Sequence, residues 1–128
     1  MRVLLDTHVF LWWMEQNPRL DAAHFEAIED PENEVFVSAA STWETMIKAA
    51  LGKVELPDGF ERILPDLIHR GQIAFLPINM EHTLEIRRLP AIHRDPFDRM
   101  LIAQARVENM RLASLDQMIR QYDAPLLP

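Results

Sequence analysis

The feature that most constrains this chain is the alternation of short apolar runs with segments of helical character. Four runs have the length and apolar content of buried strands. They span Arg2–Leu5, Glu34–Ser38, Gln72–Ile78 and Arg111–Leu115. Strands separated by helices are typical of a parallel sheet that is covered on both faces. We therefore predict an α/β fold, a three-layer α/β/α sandwich around a central, mostly parallel sheet of four to five strands, with Ala124–Leu127 as the possible fifth.

Helix signals lie between the predicted strands. The clearest helix begins at Asp95, where an N-cap residue is followed by Pro96 at the first helical position. The other predicted helices are Val9–Met14, Asp21–Asp30, one from Ser41 to Gly52, Phe60–Arg70, Glu81–Leu89 and a last one from Asp116 or Gln117. The chain has 128 residues and no repeat or linker-like stretch, so we predict a single domain over residues 1–128.

The composition excludes several classes of site. The absence of cysteine excludes disulfides, thiolate metal sites and cysteine nucleophiles, and the three glycines lie too far apart for a phosphate-binding loop. A net charge of −7 argues against an extended basic surface for nucleic acid, although eleven of the thirteen basic residues are arginines, which suit local phosphate contacts. No apolar run could span a bilayer and no secretory leader is present, so we expect a soluble, cytoplasmic protein.

Four acidic residues fall where parallel strands end or where the following helices begin. Asp6 and Asp116 follow the first and fourth predicted strands, and Glu44 and Asp98 lie in first turns of predicted helices. In open parallel sheets, ligands bind at the carboxyl ends of the strands. If the four carboxylates meet there, their mutual repulsion requires a cation. Oxygen ligands without cysteine favour Mg²⁺ or Mn²⁺, whose chemistry fits hydrolysis of a phosphodiester bond.

Each of these acids also has a purely structural explanation. Asp6 and Asp116 can cap the helices that follow them, and Ser41 with Glu44 matches a capping box. Asp98 would occupy the third position of its helix, where the helix dipole favours an acid. Periodicity alone does not decide between capping and a shared site.

Five segments carry a resemblance to a known family. They are Leu4–His8, Ser41–Glu44, Leu51–Lys53, His93–Ala105 and Ser114–Asp116. The most specific part is Asp95–Arg99, within the fourth segment. Over nearly its whole length the chain resembles PIN-domain ribonucleases, in particular the VapC-type toxins of toxin–antitoxin pairs. The resemblance implies a metal-dependent endoribonuclease, with Mg²⁺ or Mn²⁺ held by the quartet Asp6, Glu44, Asp98 and Asp116.

The resemblance also suggests supporting residues and partners. Ser114 takes the place of a small hydroxyl residue that supports the site, and Thr7 adjoins Asp6. Asp95 matches the motif but is interpreted first as an N-cap, whereas Arg99 would either meet a carboxylate or phosphate or form a structural salt bridge. The implied partners are an RNA substrate, a cognate VapB-like antitoxin and a second copy of the chain in a homodimer.

Further observations leave alternatives open. Trp12, Trp13 and Trp43 could pack in the core or face a partner. The basic residues near the motif could contact RNA or form scattered surface ion pairs; they are Arg87, Arg88, His93, Arg94 and Arg99. The alternative functions are a non-catalytic PIN-fold module that binds an antitoxin-like partner, and a structure-specific DNA nuclease.

Overall fold

In a computed structural model of the chain, which describes residues 1–122 and 126–127, four strands alternate with six helices. The strands are β1 (Arg2–Leu5), β2 (Glu34–Ser38), β3 (Ala74–Leu76) and β4 (Arg111–Ala113). The helices are α1 (Thr7–Met14), α2 (Ala22–Glu29), α3 (Ala39–Ala50), α4 (Phe60–His69), α5 (Met80–Glu85) and α6 (Pro96–Glu108). Two short 3₁₀ turns, Ile86–Arg88 and Ile119–Gln121, complete the ordered elements.

The four strands form one sheet in the order β3-β2-β1-β4, and every pairing is parallel. All strands therefore end at the same edge, which is where the predicted acids lie. Of the predicted fifth strand, Leu126 forms an isolated parallel bridge to Leu112, and residues 124–125 lie outside the described part of the chain.

Apolar side chains of the sheet alternate between two buried clusters. Val3 and Leu5 face a cluster that includes side chains from α1, α2 and α4. Leu4 and Leu112 face the opposite cluster, to which α6 contributes Leu101 among others. Helices thus cover both faces of the sheet, and the predicted α/β/α sandwich with a parallel sheet is confirmed.

The structure corrects several predicted helix boundaries. The helix α3 begins at Ala39 rather than Ser41, because Ser38 is its N-cap and accepts a hydrogen bond from the Ala40 N–H at 3.0 Å. The capping box assigned to Ser41 and Glu44 is therefore wrong, and both side chains are free for contacts across the helix interface.

The prediction of a last helix from Asp116 or Gln117 is also wrong. Asp116 Oδ1 accepts a hydrogen bond from the Met118 N–H at 2.7 Å, and among the described residues after it the 3₁₀ turn is the only helical element. Three elements are shorter than predicted: β3, β4 and α5. The helix α5 ends at Glu85, and a 3₁₀ turn follows from Ile86. By contrast, α4 continues through Pro65.

Within residues 1–122 and 126–127, no helix combines the length and the apolar content that crossing a membrane requires.

Candidate active site

The structure brings the four predicted acids to one edge of the sheet. Asp6 directly follows β1, and Asp116 follows β4 by three residues. Glu44 projects from the second turn of α3, while Asp98 lies in the first turn of α6. Charge on Asp116 acts on Asp6, and charges on Asp6 and Glu44 both act on Asp98. The four carboxylates thus share one electrostatic environment although they come from four elements.

Asp6 serves as both a helix cap and a member of this cluster. Its side chain is only 3% exposed, and Oδ1 accepts a hydrogen bond from the Val9 N–H at 2.8 Å. Burial is the largest influence and raises the pKa of Asp6 above its ordinary value, with a smaller contribution from the charge on Asp116. Hydrogen bonds from the Ser114 hydroxyl and the Val9 N–H act in the opposite direction. Capping and participation in the acidic cluster are therefore compatible.

Glu44 is fixed by a hydrogen bond on one oxygen and an ion pair on the other. Oε1 accepts a hydrogen bond from the Thr7 hydroxyl at 2.6 Å, and Oε2 lies 2.6 Å from Lys48 Nζ. The carboxylate is buried, whereas Lys48 keeps 32% of its side chain exposed. The contact with Glu44 is the main reason that the pKa of Lys48 is raised, and Asp95 and Asp98 add to the effect.

Asp98 also has a raised pKa. Burial and the charges on Asp95, Glu44 and Asp6 together raise the pKa of Asp98 to about 7, with burial as the largest cause. His93 opposes this shift. A cation that enters the cluster stabilises the ionised form of Asp98, because its charge offsets the repulsion from the neighbouring carboxylates.

His93 lies within the cluster rather than on a basic rim. Its Nε2 is 2.8 Å from Asp98 Oδ2 and 3.6 Å from Asp116 Oδ2. One atom from each of these three residues lies within 4.8 Å of the other two, so they could contact the same ion. The Tyr122 hydroxyl accepts a hydrogen bond from the His93 backbone N–H at 2.6 Å and so positions the loop that carries this imidazole.

Two residues of the cluster were not predicted in these positions from the sequence: Lys48, which contacts Glu44, and His93, which contacts Asp98. Lys48 lies four residues after Glu44, a spacing that places two side chains on the same face of a helix and could have predicted the pair. No sequence pattern directs His93 towards Asp98, because the loop before α6 is held by tertiary contacts.

The supporting residues make the following contacts. Ser114 is fully buried beside two acids: its side chain opposes the rise that burial causes in the pKa of Asp6, and its Oγ accepts a hydrogen bond from the Asp116 N–H at 3.1 Å. Asp95 is the N-cap of α6 and accepts hydrogen bonds from the N–H groups of Phe97 and Asp98.

Arg99 has a different environment from the one expected. Its guanidinium donates hydrogen bonds to the carbonyl oxygens of Ile86, Pro90 and His93 and to the Tyr122 hydroxyl. Its partners are therefore backbone and phenol oxygens. Through them Arg99 fixes the loop that precedes α6 to the α6 helix.

The three tryptophans differ in exposure. Trp12 and Trp13 are half-buried and pack against the core cluster beneath α1, and the Trp13 indole donates a hydrogen bond to Glu29 at 2.9 Å. Trp43 is 60% exposed, and its ring meets Phe97 edge to face with 5.1 Å between centroids. Of the three, Trp43 presents the largest surface to a partner.

Comparison with known proteins agrees with this architecture. The PIN domain family matches residues 3–125. The chain belongs to the PIN domain family. A curated relative, Ribonuclease VapC22 of Mycobacterium tuberculosis, is 29% identical over 134 residues, an alignment that covers 96% of this chain and 93% of the relative.

Solved structures with the same fold extend the comparison. VapBC2 of Rickettsia felis, in a crystal with a fragment of promoter DNA, matches with a TM-score of 0.72 and 12% identity over 100% of this chain and 98% of that one. VapBC-1 of nontypeable Haemophilus influenzae matches with a TM-score of 0.66 and 18% identity over 94% and 91% of the two chains. At these identities the similarity demonstrates the fold alone.

Proposed function

We propose that this chain is a metal-dependent endoribonuclease, a toxin of the VapC type that hydrolyses RNA phosphodiester bonds in the cytoplasm. The observation that carries the proposal is the convergence of Asp6, Glu44, Asp98 and Asp116 at the carboxyl edge of a parallel sheet. A fold does not by itself specify a function, whereas the chemistry of this site points to one. The 29% identity to a protein named as a ribonuclease supports the same conclusion.

The donor set fits a hard divalent cation. Its carboxylate oxygens suit Mg²⁺ or Mn²⁺, His93 adds one nitrogen that could contact the same ion as Asp98 and Asp116, and the raised pKa of Asp98 reflects negative charge that a cation would offset. We assign the metal to Asp6, Glu44, Asp98 and Asp116. When bound, such a cation activates water and stabilises the leaving oxygen of a phosphodiester.

The surrounding residues orient these carboxylates. The Ser114 hydroxyl supports Asp6 and connects it to the Asp116 backbone. Thr7 and Lys48 hold the two oxygens of Glu44, and the α6 N-cap Asp95 fixes the first turn that carries Asp98. Each acid is thereby held in one orientation, as a preorganised site requires.

Cleavage of RNA by the purified protein tests the proposal. Structured and single-stranded RNAs are incubated with Mg²⁺, with Mn²⁺ and with EDTA. We expect cleavage with either metal, none with EDTA, and loss of at least about 100-fold in Asp98→Asn. Asp58→Asn, the same change at an exposed loop position, is the control that keeps full activity. Cleavage that persists in EDTA or in Asp98→Asn would contradict the mechanism, and cleavage of DNA in preference to RNA would contradict the substrate.

We further propose a VapB-like antitoxin and a second copy of the chain as protein partners. The matched solved structures include VapBC proteins, which supports an antitoxin. The α3 helix exposes Trp43 and Ile47, and its C-cap Leu51 continues them at the same interval of four residues, an apolar stripe that suits a protein interface. Light scattering of the isolated chain is expected to give the mass of a dimer, and a monomer at micromolar concentration would contradict that state.

A further inference from the structure

A cleft of about 700 Å³ opens beside Glu44, between α1, α3 and the segment 53–57. Two of the residues that line it, Thr7 and Lys48, are those that contact the Glu44 carboxylate, each at 2.6 Å. The cleft therefore adjoins the residues that hold Glu44, and a molecule bound in it would be separated from that carboxylate by a single side chain.

The lining of the cleft combines aromatic and cationic side chains. His8 and Trp12 lie on α1 with ring centroids 5.8 Å apart. Lys48 and Lys53 are the only two lysines in the chain, and both line this cleft. Lys48 is paired with Glu44 at 2.6 Å, so Lys53 is the lysine that the lining can offer to a ligand beside the aromatic surface.

The lining also carries acidic side chains, so its formal charge is balanced. Glu15 and Glu55 also border the cleft, and both are exposed. One oxygen of Glu15 accepts a hydrogen bond from the Asn17 side-chain amide at 2.9 Å. Trp12 is half-buried, so part of its ring is available to a ligand.

We propose that this cleft binds one nucleotide of the RNA strand next to the phosphate that is cleaved. The base stacks on Trp12, and a phosphate is held by Lys53. Proteins that bind single-stranded nucleic acid combine these two elements, an aromatic platform for a base and a cation for the backbone. The proposal rests on the proposed ribonuclease function, because it names a substrate subsite of that activity.

The indole N–H resonances provide a direct test, because the three tryptophans lie in three different environments. The ¹⁵N-labelled protein is titrated with each of the four nucleoside 5′-monophosphates and with a single-stranded RNA of mixed sequence in EDTA. We expect the Trp12 resonance to shift in a saturable manner, while Trp13, which is bonded to Glu29, stays in place. A shift of Trp43 without one of Trp12 would overturn the proposal by placing the base at the other side of Glu44.

Variants of the cleft provide the second test. Trp12→Leu keeps apolar packing but removes the stacking surface, so the Kd for the RNA should rise roughly fivefold to 100-fold. Trp12→Phe should restore most of the affinity, and Trp13→Leu is the control at the neighbouring half-buried tryptophan. Lys53→Gln should reduce the salt dependence of log K by about 0.7, the loss of one phosphate contact, while Arg19→Gln leaves it unchanged.

The outcomes separate this proposal from the ribonuclease itself. Both cleft variants should raise KM with kcat nearly unchanged, and the metal-dependent stabilisation of the fold should stay as in the wild type. One outcome contradicts the subsite alone. If the wild type cleaves RNA, but Trp12→Leu and Lys53→Gln bind RNA as tightly as the control variants do, the cleft is not a nucleotide subsite. If these variants instead weaken binding of a protein partner alone, the occupant is a protein. If the wild type neither binds nor cleaves RNA, the proposed function fails as well.

Discussion

At the scale of single residues, the site is defined by how protein contacts set the charge of each acid. Asp98 shows this most clearly, because burial and three neighbouring carboxylates raise its pKa to about 7 while His93 opposes the shift. Glu44, which is more deeply buried than Asp98, has an ammonium group at 2.6 Å. Two acids of one cluster therefore have opposite electrostatic neighbours, which the residue types alone do not reveal.

The raised pKa of Asp98 predicts a pH dependence of stability in the metal-free protein. A carboxyl group that binds its proton more tightly in the folded state stabilises the fold below its unfolded pKa and loses that contribution as pH rises. The loss should fall between about pH 4 and pH 7. Urea unfolding in EDTA should show Asp98→Asn more stable than the wild type at pH 8, by at least about 1 kcal/mol, with little difference at pH 4.

Asp58→Asn, at an exposed position, is the control for this measurement. It should follow the wild type at both pH values. Parallel curves for Asp98→Asn and the wild type would show that Asp98 titrates as an ordinary surface carboxyl group.

At the scale of elements, α3 is the helix that organises the cluster. Its N-cap Ser38 ends β2, so Glu44 falls in the second turn, where it is buried against Thr7 of α1. Lys48 lies one turn further along the same face and reaches back to Glu44. A shift of the helix start by one residue would rotate both side chains by about 100° and separate them from the cluster.

The pair on α3 predicts unequal effects for the two lysines. Lys48→Gln removes the ion pair from a buried carboxylate, so the free energy of unfolding should fall by about 1–2 kcal/mol at pH 7. This is less than the cost for a fully buried pair, because the Lys48 side chain is one-third exposed and solvent screens its charge. Lys53→Gln makes the same chemical change at an exposed position and should cost less than about 0.5 kcal/mol. Equal losses in urea unfolding would mean that the Glu44–Lys48 contact contributes nothing to stability.

At the scale of the whole molecule, the cluster exists only when the sheet is assembled. Its four acids lie between positions 6 and 116 of the chain and meet because β1 lies at the centre of the sheet between β2 and β4. An unfolded chain has no such site, so a metal that binds these acids binds only the folded state.

Metal binding should therefore raise the melting temperature. At a metal concentration about 100 times the Kd, the stabilisation expected for one site is about 2.7 kcal/mol. Scanning calorimetry with Mg²⁺ or Mn²⁺ should show this shift for the wild type and a much smaller one for Asp6→Asn. Equal shifts in the two proteins would contradict a metal site that includes Asp6.

The sequence by itself determined the strands, the parallel sheet and the positions of the acids at its carboxyl edge, because these depend on local apolar patterns and on the geometry of parallel sheets. It also predicted the caps at Asp6 and Asp95, which are bonds to N–H groups two or three residues away. Only the tertiary structure decided that Ser38 caps α3, that Lys48 neutralises Glu44, and that His93 points into the cluster. These outcomes depend on which distant side chains compete for the same buried space and the same hydrogen bonds, and no local pattern encodes that competition.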